Sequence, residues 1–324
     1  MVCERCGAVR YWFVAHPGSS IVTVLLDKLL AHVVVEVEPF ATCLLSSGWR
    51  LRLPGPPDAM FHFVMQGTGA LRGTEGGPLR LERFSLGVVP KGTGHALECG
   101  QDVRSERVIE APSTAEGVVR LVAGNLNAAE LRVACGVVRV TYGDSLRLFQ
   151  GLREIIVADL SGYPQVRVAF ETILAEQGGA NPGSAALTQA LMSQCLVYLL
   201  RYLSEQSDGR LPWLAGLEDP NLARAMDLMF ERPAAAHTVD SLADVAVMSR
   251  SAFAERFHAA FGCTPISFLH DIRLRQAAGL LCQGGSLSID QVAHRVGFRS
   301  RSHFSLAFKS HFGVPPVAFV KAQG

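Results

Sequence analysis

The stretches "SLADVAVMSRSAFAERFHAAFGCTP" (residues 241–265) and "SIDQVAHRVGFRSRSHFSLAFKSHFGVPP" (residues 288–316) decide how this chain of 324 residues is read. Shifted by 51 residues, the first falls on the second with Phe253 on Phe304, Phe257 on Phe308, Phe261 on Phe312, Gly262 on Gly313 and Pro265 on Pro316. Just beyond, Phe268 falls on Phe319. Upstream the shift is 50, putting Leu242 on Val292 and Ala243 on Ala293, so one residue is inserted in a turn between the halves of the unit.

Each copy opens with a segment of helical apolar spacing, 241–247 or 289–296, and in the second Ser288 with Gln291 forms a capping-box start. A turn follows, marked by Gly297 in the second copy, and then Ser249 or Ser300 stands where it can cap another helix. That helix carries Phe at i and i+4 as a buried stripe, with Arg, Ser and His on the opposite face. Helix, tight turn and helix, with a small Ala inside, is the helix-turn-helix pattern. Between the copies, 265–283 reads as one helix started by Pro265 and ended by Gly284 and Gly285. At about 1.5 Å per residue it is roughly 28 Å long, enough to hold two reading helices about one DNA turn apart. An all-helical packing domain accounts for the Phe stripes but not for the Ser/Arg/His-rich outer faces.

The net charge of +1 hides an asymmetry: residues 231–324 carry ten Lys/Arg against six Asp/Glu, leaving the rest of the chain net acidic. A basic tail is suited to meeting phosphate. Eight cysteines at irregular spacings, with no signal-peptide pattern ahead of them, predict thiols in a reducing cytosol and a cytoplasmic protein. The apolar stretches 21–37 and 195–203 are too short or too interrupted by charge to span a bilayer. Cys3 and Cys6 form a lone C-x-x-C in the first twenty residues, which read as a flexible tail.

These residues resemble the DNA-binding domain of AraC-type transcriptional regulators. By that resemblance Ser251, Ala254 and Glu255 face bases from the first recognition helix, and Arg301, Ser302, Ser305 and Leu306 from the second. Arg250, Arg299 and Lys309 hold phosphates. Two positions depart from the pattern. Val247 stands where the first turn usually has Gly, and Leu306 where a polar base reader is common, although a leucine can touch a thymine methyl.

From about Ala41 to Arg139 the texture changes to short β-like runs divided by Gly and Pro, the pattern of a sandwich or small barrel. Within it "PKGTGHAL" (90–97) has the P-x-G-x-x-H form of the second cupin motif, and His62 in "FHFV" is similar to a histidine of the first. The region thus resembles the cupin-type sensor domains found ahead of AraC-type DNA-binding domains. The resemblance makes His62 and His95 candidate metal ligands. Cys43 and Cys135 lie in β-like runs on either side and complete a candidate four-ligand site for zinc, whose thiols also make it a candidate redox switch. Cys99 is the substitute should Cys135 point outward.

The stretch 144–207, including "LRLFQGLREIIVADL" and "LTQALMSQCLVYLLRYLSEQ", has helical spacing interrupted by "QGGANPGSA". Asp219 and Pro220 give the cap and first-turn proline that open the next domain. The expected fold is α+β: a tail (1–20), a cupin-like β-barrel (21–143), a helical linker or dimerisation region (144–215) and an all-α domain with two helix-turn-helix units (216–324). The expected function is sequence-specific transcriptional regulation, with double-stranded DNA as partner, RNA polymerase if the chain activates, an inducer and a second copy of the chain, and no membrane. The rival is a metal-dependent cupin enzyme with a helical appendage. Against it, "FHFVMQGTGALRG" supplies one histidine and no carboxylate before Glu75.

Overall fold

The computed structural model describes residues 20–110, 119–143, 146–177, 181–206, 209–282 and 287–321. The predicted tail and its Cys3/Cys6 pair, and the Gly284–Gly285 helix stop, lie outside these residues. Two compact units result, one comprising residues 35–140 and 149–210, the other the residues up to 34 together with 141–148 and 211–324.

The first unit is built on strands β1 (Val34–Val37), β2 (Ala41–Ser46), β3 (Trp49–Leu53), β4 (Ala59–Gln66), β5 (Gly69–Gly73), β6 (Leu79–Leu81), β7 (Ser85–Val89), β8 (His95–Cys99), β9 (Ser105–Val108), β10 (Arg120–Ala123), β11 (Ala129–Tyr142), β12 (Leu146–Arg147) and β13 (Ile156–Asp159). One sheet runs β10-β2-β11-β4-β7-β13, with β1 and β12 also on β11, and the other runs β6-β5-β8-β3-β9. Leu51, Leu53, Leu71 and Leu97 of the smaller sheet and Leu45, Val64, Val89 and Val133 of the larger form one buried apolar cluster. The expected barrel is therefore two strand-paired sheets joined through a core, and among the described residues no closed barrel ladder is present.

Numbering helices along the chain, α1 is Ile21–Leu30, α2 Pro164–Glu176 and α3 Ser184–Gln206, and α2 with α3 packed on it covers the opposite face of the larger sheet. Phe63 stacks on Phe170 of α2 at 4.3 Å between ring centres, and Phe40 meets the same ring edge-on. The alternation of faces along β4 explains this, since Phe61 and Phe63 point one way and His62 and Val64 the other. The stretch expected to be helical from 146 to 160 is instead two strands. β12 pairs with the end of β11 and Ile156–Asp159 pairs with β7. Its apolar residues suit a short buried strand as well as a helix, and the ladder partner on β7 decides for the strand.

The second unit is helical, with α4 (Pro212–Glu218), α5 (Pro220–Glu231), α6 (Val239–Val245), α7 (Arg250–Phe261), α8 (Pro265–Cys282), α9 (Ile289–Arg295), α10 (Arg301–Phe312) and α11 (Pro316–Lys321). Besides residues 211–324, this unit takes in α1 and residues 141–148. α1 joins it through Lys28, whose ammonium contacts Asp227 at 3.0 Å and Glu231 at 2.6 Å on α5. Tyr142, the last residue of β11, stacks on Phe268 of α8 at 5.3 Å, and the buried Trp213 indole donates to the Leu148 carbonyl at 2.8 Å. Large aromatic surfaces at these points need covering, and segments distant in sequence supply the cover.

Candidate nucleic-acid interface and sensor interior

The two halves of the helical unit repeat in structure as in sequence. Thr238 and Ser288 each close a capping box, on α6 and α9, and Ser249 and Ser300 accept from the third backbone N–H of α7 and α10. In the first turn the Val247 N–H donates to Asp244 and the Met248 N–H to Ala243. In the second, 50 residues on, Gly297 donates to His294 and Phe298 to Ala293. Both turns need a positive φ, +55° at Val247 and +88° at Gly297. Val247 stands 76 % exposed with room for its side chain, whereas a Cβ at 297 would sit 2.7 Å from the Ala234 carbonyl oxygen. That loop is itself held from α8: Arg273, buried, donates to the Pro233 carbonyl at 2.7 Å and the Ala235 carbonyl at 2.8 Å.

Phe253, Phe257 and Phe261 bury one stripe of α7, and Phe304 and Phe308 one stripe of α10, which turns the other face of each helix outward. Arg250, Ser251 and Glu255 are exposed on α7, with Ala254 half-buried. Arg301, Ser302, Leu306 and Lys309 are exposed on or beside α10, as is Arg299 before it, and Ser305 is half-buried. Arg250 makes a 3.4 Å contact with Asp240, an exposed pair of small energetic weight. Among the described residues no ion pair engages Arg299, Arg301 or Lys309. Leu306 projects with 75 % of its surface exposed. The exposed His303 was not singled out from sequence. It stands on the first turn of α10 beside Phe298 and His270, and its place between Arg301 and Phe304 was the signal available.

In the other unit, His62 on β4 and His95 on β8 face each other across the core with their Nε2 atoms 2.8 Å apart. Gly87 lies opposite His62 in the ladder, where a Cβ would come within 2.7 Å of Leu71, so glycine leaves the Leu71 side chain its place beside His62. Burial pushes His95 below the ordinary histidine range, and burial, with the disfavoured placing of a second positive charge beside His95, pushes His62 well below it, so the site favours the neutral form of the rings. The tautomers follow from the partners. His95 Nδ1–H donates to the Thr93 carbonyl at 3.0 Å, leaving its Nε2 as acceptor for His62 Nε2–H. His62 Nδ1 is then a buried acceptor without a hydrogen-bond partner.

Cys135 is the ladder partner of His62, so the two share a face. Its Sγ lies 2.7 Å from that of Cys43, both thiols buried. The four candidate ligands thus lie in one interior but as an imidazole pair and a thiol pair. Among the described residues no three His, Cys, Asp or Glu groups are arranged to hold a metal ion. The imidazole pair by itself has the donors for zinc: bonds of about 2.0–2.1 Å at a tetrahedral angle need Nε2 atoms about 3.3 Å apart, a small parting of the rings. The Thr93 carbonyl on the far side of His95 is the kind of partner that orients a ligating imidazole. Cys99 also lies in this interior cluster.

Comparison with known proteins gives the same two parts. A helix-turn-helix domain family matches residues 242–322 and a cupin family matches residues 25–205. The HTH-type transcriptional regulator MtrA of Neisseria gonorrhoeae is 27% identical over 304 residues, covering 93% of this chain and 99% of that one. A putative AraC-like transcription regulator of Streptomyces antibioticus is 32% identical over 208 residues, 59% of this chain and 68% of that one. Among solved structures, the DNA-binding domain of the transcriptional factor AdpA, determined with a target DNA, is 34% identical, covers 31% of this chain and 89% of that one, and has a TM-score of 0.30. No helix among the described residues is long and apolar enough to cross a membrane.

Proposed function

Since the chain belongs to the AraC-type transcriptional regulators, with a cupin domain ahead of its helix-turn-helix domain, we propose that it reads two adjacent major-groove segments of one operator with α7 and α10, under control of a signal received between its two sheets. The observation that carries the DNA reading is the duplicated helix-turn-helix on either side of α8, with its matched caps and turns. Ser251, Ala254 and Glu255 read one segment and Arg301, Ser302, Ser305 and Leu306 the other, while Arg250, Arg299 and Lys309 hold phosphate. Because the two sets differ, the two segments differ in sequence, and a single-chain site contains no palindrome.

Footprinting of the full chain on a selected operator is expected to show two contacted segments about 10 base pairs apart on one face. A single contacted groove would overturn the two-headed reading. Arg301→Ala is expected to relax preference within one segment at a cost of roughly 1–3 kcal/mol, whereas Lys309→Ala weakens all sequences alike and lowers the salt slope by about one. Equal losses on specific and nonspecific DNA would make Arg301 a phosphate contact.

For the sensor interior the proposed cofactor is zinc, held by His62 and His95, with the Cys43 and Cys135 thiols as the further donors. The support is the facing Nε2 atoms, the unpartnered His62 Nδ1 and the carbonyl behind His95. When bound, zinc would supply a fixed positive centre that draws the two sheets together. Zinc content per chain, measured on protein purified without a metal-affinity tag, is expected near one and to fall on His62→Ala or His95→Ala. No metal in the unsubstituted protein would overturn this and leave the interior to an organic inducer. A second copy of the chain, docked through α2 and α3, and RNA polymerase, if regulation is by activation, are the other proposed partners.

A further inference from the structure

Cys43 and Cys135 stand on neighbouring strands, free, fully buried and 2.7 Å apart at sulfur. Non-bonded carbon atoms rest about 3.5–4.0 Å apart, whereas here the Cys135 thiol donates to the Cys43 sulfur, so the pair is in direct sulfur-to-sulfur contact and does more than fill core space. The pair also joins distant parts of the chain, 92 residues apart, so local sequence does not force it together. Among the described residues, neither Cys99 nor Cys195 hydrogen-bonds to a second thiol, although both are equally buried.

We propose that Cys43 and Cys135 are a modification site, closed to a reversible disulfide by a hydroperoxide small and uncharged enough to enter between the sheets. The chemistry balances in two steps. One thiol sulfur takes the terminal oxygen of the hydroperoxide: an S–O bond forms, the O–O bond breaks, the alcohol or water leaves, and the cysteine becomes a sulfenic acid. The second sulfur then attacks the first, the S–S bond forms, the S–O bond breaks, and the oxygen departs as water with the remaining thiol proton. Sulfur loses two electrons in total and the peroxide gains them. The product ties β2, which lies between β10 and β11, covalently to β11. β11 is also the strand that ends at Tyr142, whose ring is stacked on Phe268. A constraint on it is thus placed on a strand continuous with the DNA-reading unit.

The inference rests on the sensor reading only for its consequence, and the experiment separates the two. Full-length protein, stripped of metal with a chelator, is treated with hydrogen peroxide or tert-butyl hydroperoxide, blocked with an alkylating agent and digested without reduction. A peptide bearing Cys43 linked to one bearing Cys135 is expected, cleaved by dithiothreitol, lost in Cys43→Ser and Cys135→Ser, and retained in Cys99→Ser and Cys195→Ser. Both residues remaining alkylatable after the half-buried Cys282 has been oxidised would overturn it, whatever the metal content. Operator affinity of oxidised and reduced protein is then compared. A reversible change in the range of about five- to a hundredfold is expected for a coupled sensor. The cross-link with unchanged affinity would uphold the disulfide and sink the sensor reading.

Discussion

Phe308→Ala is expected to cost the chain about 3–5 kcal/mol, the range for truncating a fully buried phenylalanine. Its ring is completely enclosed and meets Phe304, Phe312 and Phe319 at 5.5, 4.5 and 5.2 Å between ring centres. The loss falls on the cluster that packs Val292, Ala293 and Phe298 against Leu274, Ala277, Ala278 and Leu281 of α8, the core beneath the second helix-turn-helix. The first unit keeps its own stripe of Phe253, Phe257 and Phe261. Footprints of the variant should therefore shrink to the segment read by α7, with the urea midpoint lowered. Phe257→Ala should leave the opposite segment. Full two-segment protection by Phe308→Ala at unchanged affinity would contradict the division of the unit into two cores.

Gly297→Val, which copies the first turn into the second, is expected to cost about 3 kcal/mol, from a β-branched residue at positive φ and from overpacking. The Cβ it adds meets the Ala234 backbone, and Ala234 cannot withdraw, because Arg273 grips the carbonyls on either side of it. The reverse change, Val247→Gly, is expected to alter stability by no more than about 1 kcal/mol, since the relief of strain is offset by glycine's freedom in the unfolded chain. Thermal melts of the two variants and the parent test the asymmetry. Equal effects would mean that the loop gives way.

The Val247 departure that stood out in the sequence thus has a structural reason, but one that sequence could not state. Nothing in the spelling of residues 241–265 says that Ala234 lies against the second turn and not the first. What was legible was local: caps at Ser249, Ser288 and Ser300, the Phe stripes, and the strand texture around His62 and His95. These depend on residues within a few positions of each other. What was not legible depended on pairing over long separations. The strand at Ile156–Asp159 reads as helix until its partner on β7 is known. The four candidate residues His62, His95, Cys43 and Cys135 read as one set until ladder register sorts them into an imidazole pair and a thiol pair.

The place of Lys28 and Tyr142 in the helical unit bears on how such regulators can be recombined. A hybrid that grafts residues 211–324 onto a foreign receptor leaves behind the tyrosine that covers Phe268 and the lysine that neutralises Asp227 and Glu231. It also leaves the Trp213 indole without the Leu148 carbonyl. A graft that carries its own helix and aromatic hook to these positions keeps the seam closed, and one that does not exposes an oily face on every molecule. The transferable cassette in this protein is thus discontinuous in the gene: its shortest intact form is three separate stretches of coding sequence.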